Sequence, residues 1–286
     1  MSGECRVQNS GLMQKLKAVE DALRGFGRVL VAYSGGVDST LLAKLARDIL
    51  GKSNVLAVTA DSPSLAREDL AQAIRLASEL DLRHRVIPTR EVRDPSYRAN
   101  TTARCFFCKQ ELFQELEDVA TSEDIPVIVY GAIADDLLAE RPGQRAAVTF
   151  GVRAPLQEVG FSKREVRELA RQLGLPNWNR PQNACLSSRI PHGLAVDEDK
   201  LRQVEEAEAF FRAEGFRQVR VRHLGAHARI EVEPDQVARF DDEALRQRAI
   251  AVLARIGFAT IGVDRHGYRP GGADHALIDE IPLLAV

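Results

Sequence analysis

Residues 28–50, RVLVAYSGGVDSTLLAKLARDIL, leave few choices of local fold. An apolar run from Val29 to Tyr33 has the length of a buried strand, and from Thr40 to Leu50 apolar residues recur at helical spacing. Between them lies Ser34-Gly35-Gly36-Val37-Asp38-Ser39. Gly35 and Gly36 allow a tight turn and let backbone N–H groups approach an anion with no side chain in the way. Ser34, Ser39 and Thr40 offer hydroxyls beside the unpaired N–H groups of the helix start. The pattern of strand, glycine turn and helix suits a polyphosphate.

Downstream, strands are expected at Asn54–Ala60, Arg85–Pro88 and Pro126–Tyr130, with helices at Ala66–Leu80 and from about Cys105 to Ala120. Such alternation predicts an α/β fold, a parallel sheet with helices on both faces. Ligands of these sheets sit beyond the carboxyl ends of the strands, where Ser34, Ala60 and Gly131 would lie. Ser162 and Glu165 form a capping box for a helix to Leu173, which Gly174 stops before Pro176. The stretch LPNWNRPQNACLSSRIPHG then has three prolines and little periodicity and reads as an ordered functional loop, with Trp178 as its packing anchor. From Asp197 the pattern becomes helix (200–214), strand (218–223), strand (228–233), helix (242–256) and strand (259–264). This predicts a smaller C-terminal α+β domain and a division into residues 1–193 and 197–286.

The chain has 286 residues, enough for one large and one small domain, and 39 Lys and Arg against 41 Asp and Glu give a net charge of −2. That balance argues against a nucleic-acid partner. The start is polar and no apolar run has transmembrane length, so a cytoplasmic protein is expected. In a reducing compartment the four cysteines favour metal or catalytic roles over disulfides. Cys5 falls in an expected frayed terminus. Cys105 and Cys108, at i and i+3, share one side of a helix and can bind one metal centre, with Arg104 and Lys109 favouring thiolates. Zinc would need two further ligands, and only Cys185 stands in a comparable loop. Three thiolates on a cubane iron–sulfur cluster would leave one iron open to an exogenous sulfide. Among the histidines only His223 and His227 have suggestive spacing, and they flank Gly225 in an expected turn.

No Gly-Lys-Ser/Thr closes the loop at 34–39, so it is not a Walker A sequence. It resembles the PP-loop, S-G-G-x-D-S, of enzymes that cut ATP between the α and β phosphates. With RPGQRAA (141–147), GVRAPLQEVGFSKREVRELARQLGLPNWNRPQNACLSSRIPHG (151–193) and RVRHLGAHARIEV (220–232), the chain resembles the LarE family. These are ATP-dependent sulfur transferases acting on pyridinium-3,5-biscarboxylic acid mononucleotide in nickel-pincer cofactor synthesis. The A-C-L-S-S-R-I-P-x-G loop is the most specific part.

The resemblance implies a PP-loop (adenine nucleotide alpha hydrolase-like) sheet, with ATP held by Ser34, Gly35, Gly36, Asp38, Ser39, Thr40, Ala60 and Gly131. It implies Mg2+ at Asp38 and Asp135, and Asp38 and Cys185 as catalytic residues. Arg220 and Arg222 match a pair that binds substrate phosphate, and alternate strand residues can reach one anion. Ser188 and Arg189 would contact substrate or phosphate, and Glu208, with Glu205 and Glu206 as neighbours, matches an active-site glutamate. In one branch of the family the cysteine at 185 gives up its sulfur. In the other, three cysteines hold a 4Fe–4S cluster whose extra sulfide is donated, and Cys105, Cys108 and Cys185 place this chain there. A homo-oligomer and a downstream nickel-inserting enzyme are further implications. Gly131-Ala132-Ile133-Ala134-Asp135-Asp136 departs from the usual G-T-N-x-D-D, and the tail after Gly267-Tyr268-Arg269 diverges. A PP-loop tRNA thiolase, an ammonia-using synthetase and a non-catalytic nucleotide sensor are the competing functions.

Overall fold

The computed structural model describes residues 3–138, 142–181, 183–269 and 279–284. They form two compact units, one from Met1–Glu91 and Cys105–Asn183, the other from Val92–Arg104 and Ala184–Val286. Arg141 of the RPGQRAA segment, His275 and residues 270–278 of the tail lie outside the described residues.

In the first unit β1 (Val29–Ala32), β2 (Val55–Asp61), β3 (Arg83–Pro88) and β4 (Val127–Tyr130) form a wholly parallel sheet of order β3-β2-β1-β4. The strand order reverses at β1, so the turn that follows β1 stands at the switch point of the sheet. Val29 and Val31 pack with Val19 and Leu23 of α1 (Gly3–Phe26) and Leu41, Leu42 and Leu45 of α2 (Val37–Leu50). Ala73 and Ala77 of α3 (Arg67–Glu79) join the same core. Leu30 points the other way, to Phe113 and Leu116 of α5 (Arg104–Ser122) and Ala146 of α6 (Pro142–Thr149). With both faces covered, β1, β4 and the first four residues of β2 are uninterrupted apolar runs, while the edge strand β3 opens with Arg83-His84-Arg85. The short α7 (Pro155–Glu158) and then α8 (Lys163–Gln172) complete the unit. Ser162 caps α8, and Glu165 returns a hydrogen bond to its backbone, as the capping box predicts.

Helix α1 has no counterpart in the sequence expectation, and Cys5, expected in a frayed terminus, lies within its span. Its signal was present: Leu12, Leu16, Val19 and Leu23 recur at helical spacing, with Leu12, Val19 and Leu23 buried and Leu16 packed against the same core.

The second unit holds the short α4 (Pro95–Arg98), α9 (Glu198–Ala213) and α10 (Glu243–Ile256), with a sheet β5 (Val219–Leu224), β6 (His227–Val232), β7 (Thr260–Asp264) and β8 (Glu280–Leu284). Strands β6 and β7 are parallel, and the other neighbouring pairs antiparallel. Ala207 and Phe211 of α9 and Leu245 and Leu253 of α10 cover the face carrying Val219, Val221 and Ile230. The pleat turns Arg220 and Arg222 to the opposite face.

The units are drawn differently from the expected 1–193 and 197–286, because residues 92–104 and 184–196 are hydrogen-bonded together. Buried Asn100 donates through Nδ2 to the carbonyls of Pro191 and Leu194, both at 2.8 Å, and Val196 N–H reaches Arg98 O at 2.9 Å. Asn100 holds a φ of 50°, in the left-handed region that asparagine tolerates. No helix among the described residues is long and apolar enough to cross a membrane.

Candidate active site

At the end of β1 the backbone enters α2 through Gly36, and no side chain caps this helix. Its first N–H groups therefore form an anion cradle. Gly35 has a φ of 71°, and a Cβ there would lie 2.9 Å from the backbone of Ala73 in α3, so only glycine fits. Ser34 is exposed, and its hydroxyl lies 3.1 Å from that of buried Ser39. Gly131, after β4, abuts the start of α2: a Cβ would stand 2.7 Å from Ser39 N. Its expected nucleotide contact is thus joined by a packing duty. Ala60 is partly exposed near the carboxyl end of β2.

The turn lacks its own lysine, but α8 brings one. Lys163 Nζ contacts both oxygens of Asp38, at 2.9 and 2.7 Å. Burial pushes the Asp38 carboxyl up, against the lowering effect of Lys163. Asp135 accepts the Lys163 backbone N–H at 2.6 Å, and Asp136 accepts that of Ile133 at 3.0 Å, so both acids also organise the loop after β4. Asn177 is buried beneath the turn and donates to Gly35 O at 2.9 Å and Thr40 Oγ1 at 3.0 Å. Sequence reasoning missed Lys163 and Asn177. Each meets the turn through a contact more than 120 residues away in the chain (separations of 125 and 142), and spacing carries no trace of that.

Cys105 and Cys108 lie near the start of α5, the first exposed and the second partly so. Cys185 is exposed just before a 3-10 turn, Leu186–Arg189, and none of the three forms a disulfide. The thiol chemistry suits an iron–sulfur cluster. Among the described residues, however, no three His, Cys, Asp or Glu side chains are gathered into a group that could hold a metal. Arg104, expected to favour the thiolates, is buried and donates to Asn100 Oδ1 at 2.5 Å and Ser187 O at 2.8 Å. Lys109 Nζ lies 4.8 Å from the centre of the Tyr130 ring.

Around Cys185 the second unit builds a charged frame. Arg189 and Glu208 are both fully buried and form a bidentate pair, at 2.8 and 3.1 Å. The remaining Arg189 nitrogen donates to the carbonyls of Ala184 (2.6 Å) and Cys185 (3.0 Å) and to Ser188 Oγ (3.0 Å). Glu208 also accepts from Arg212 and from Val221 N–H. These two residues, expected at the substrate, thus shape the loop that carries the cysteine. Arg222 is held by Glu231 at 2.7 Å and donates to Ser188 O at 3.0 Å, leaving Ser188 itself partly exposed. Arg220 differs: among the described residues it has no carboxylate partner within ion-pair distance. It bonds Val219 O and lies over the Tyr268 ring, 5.4 Å from its centre. Burial, then the charge of Arg189, lowers the Arg220 guanidinium to about 10. A buried cation with no carboxylate in ion-pair contact among the described residues, Glu208 acting on it only at longer range, is a place for an anion.

One expectation fails: Trp178 is 37 % exposed and does not anchor its loop by burial. His223 and His227 flank the Gly225 turn as expected, His223 within β5 and His227 opening β6: buried His223 meets Gln203 Oε1 at 2.8 Å, and His227 bridges Thr260 and Glu280, each at 2.8 Å.

A parallel sheet with an uncapped helix start and a Ser-Gly-Gly-x-Asp-Ser turn at its switch point defines the PP-loop class of nucleotide-binding proteins. In keeping with this, the NAD synthase family matches residues 12–110. An uncharacterized Synechocystis protein is 40% identical over 266 residues, 93% of this chain and 99% of its own. The pyridinium-3,5-bisthiocarboxylic acid mononucleotide synthase of Lactiplantibacillus plantarum is 36% identical over 269 residues, 93% of this chain and 96% of its own. An uncharacterized Methanocaldococcus jannaschii protein is 28% identical over 242 residues, 85% of this chain and 91% of its own. The chain belongs to the family of that synthase, the LarE family.

Proposed function

We infer that this chain is an ATP-using sulfurtransferase that converts a carboxylate of pyridinium-3,5-biscarboxylic acid mononucleotide to a thiocarboxylate in nickel-pincer cofactor synthesis. The observation that carries it is the Ser34–Ser39 turn at an open helix start with the Lys163–Asp38 pair beside it, a place for a polyphosphate in a chain of this family. The substrate carboxylate attacks the α phosphorus of ATP. The bond to the β-phosphate oxygen breaks, pyrophosphate leaves and an acyl-adenylate remains. A sulfur nucleophile then attacks the acyl carbon, and AMP departs with the bonding electrons.

In this reading the loop N–H groups and the Ser34, Ser39 and Thr40 hydroxyls hold the phosphates, with Ala60 and Gly131 beside the nucleoside. Lys163 supplies a positive charge near the leaving pyrophosphate. Asp38 and Asp135 would hold Mg2+, whose chemistry is to neutralise the phosphate oxygens. Arg220 and Arg222, with Ser188, face the substrate phosphate, while Arg189 and Glu208 frame Cys185. The sulfur is delivered at the cysteine set. Cys105, Cys108 and Cys185 would be the thiolates of a 4Fe–4S cluster, which would supply its extra sulfide. A cytoplasmic homo-oligomer handing its product to a nickel-inserting enzyme completes the proposal.

The test uses anaerobically purified protein with ATP, Mg2+ and the dicarboxylate nucleotide, following pyrophosphate release and product mass. Cys185→Ala should keep pyrophosphate release and lose the thiolated product; loss of both counts against the separation of roles. Iron and acid-labile sulfide near four each per chain, lost in Cys105→Ala, are expected for the cluster. Metal-free protein that thiolates substrate once would make Cys185 the consumed donor.

A further inference from the structure

The segment between α8 and Cys185 is tied down at three points by polar side chains, all within the first unit. Asn177 holds the nucleotide turn through Gly35 and Thr40. Three residues on, Arg180 Nη2 donates to Asp69 Oδ1 at 2.6 Å, and Asn183 Nδ2 donates to Asp69 Oδ2 at 2.5 Å. One carboxylate, its side chain only 15% exposed, therefore uses a separate oxygen for each of two residues in this segment. Asp69 lies in the first turn of α3, where its charge also suits the helix dipole. One turn further, Ala73 is the residue against which Gly35 packs. Helix α3 thus touches the phosphate-binding turn with one residue and grips the cysteine-bearing segment with another.

We propose that Asp69 is a positioning residue for sulfur transfer, clasping Arg180 and Asn183 so that the chain reaching Cys185 starts from a fixed point beside the nucleotide turn. Cys185 follows Asn183 by two residues, a chain reach of about 7 Å. Fixing Asn183 therefore confines the sulfur-bearing residue, and misplacing a reacting group by about 1 Å costs on the order of a hundredfold in rate. The clasp has no part in cutting ATP, which leaves adenylylation and transfer separable. The proposal rests on the function inferred above.

Asp69→Asn keeps the shape of the side chain and removes the charge that holds Arg180. Hydrogen–deuterium exchange of the full chain, without ligand, should show the amides of residues 177–185 exchanging about fivefold faster or more, with α2 unchanged. Pyrophosphate release should stay within about twofold of wild type, thiocarboxylate formation should fall about tenfold or more, and Asp69→Glu should recover part of it. Unchanged exchange in 177–185 overturns the clasp whatever the activity. Faster exchange with undiminished transfer, or with pyrophosphate release falling in step, overturns the positioning role and leaves a structural contact. A wild type that releases no pyrophosphate with this substrate overturns the function and the role built on it, while the exchange result still reports on the clasp.

Discussion

Lys163 is the first residue of α8, and its ammonium meets Asp38 from 125 positions away. Replacing it with alanine leaves the partly buried Asp38 carboxylate without its ion-pair partner and the turn without its cation. Lys163→Ala should lower substrate-dependent pyrophosphate release about ten- to a hundredfold, with Lys163→Arg intermediate, in a coupled pyrophosphate assay. Arg220→Met, close in shape but uncharged, should raise the KM for the nucleotide substrate about tenfold or more and leave ATP affinity unchanged. The turn itself was legible because glycines and hydroxyls between a strand and a helix have a local meaning. The pairing of Arg189 with Glu208 was not, since the two meet across elements 19 residues apart and spacing carries no trace of it. Asp69, Lys163 and Asn177 gave no signal because their partners are tertiary.

At the scale of elements, two glycines set how closely strand, turn and helix approach. Gly131→Ala would drive a methyl to 2.7 Å from Ser39 N, backbone that cannot swing aside. It should cost about 1–3 kcal/mol of stability in urea unfolding and weaken ATP binding together. Strands β1, β2 and β4 were readable as apolar runs, β3 only from its short apolar end, and α8 from its capping box. Helix α1 was passed over although its apolar spacing is regular, and β8 was hidden because Glu280-Ile281-Pro282 looks like the end of a divergent tail. An edge strand tolerates such a proline, which a central one would not.

For the molecule as a whole, acid sensitivity follows from two imidazoles, buried His223 and half-buried His84. Burial lowers the pKa of His84, and burial with the Lys200 charge lowers that of His223. A folded-state pKa below that of the unfolded chain means that unfolding takes up protons. The stabilisation is complete above about pH 6.5 and is lost as pH falls through the folded values. Thermal midpoints should drop on acidification below about pH 6.5, and the slope should flatten in His84→Gln with His223→Gln. Much of this architecture follows element by element from the chain, but the pairing of residues 92–104 with 184–196 does not, because it joins polar loops with no periodicity.

That pairing also sets a clock on biosynthesis. Residue 104 leaves the ribosome 80 residues before residue 184 (184 minus 104). At about 5–20 residues per second the wait is roughly 4–16 s. During it Asn100 and Arg104 have none of their later acceptors and donors beyond position 184, while the parallel sheet already has its four strands by Tyr130. The nascent chain must carry an unfinished polar loop out of a nearly finished sheet. Synthesis halted just after Asn183 would release the nucleotide turn together with a half-built frame for its cysteine.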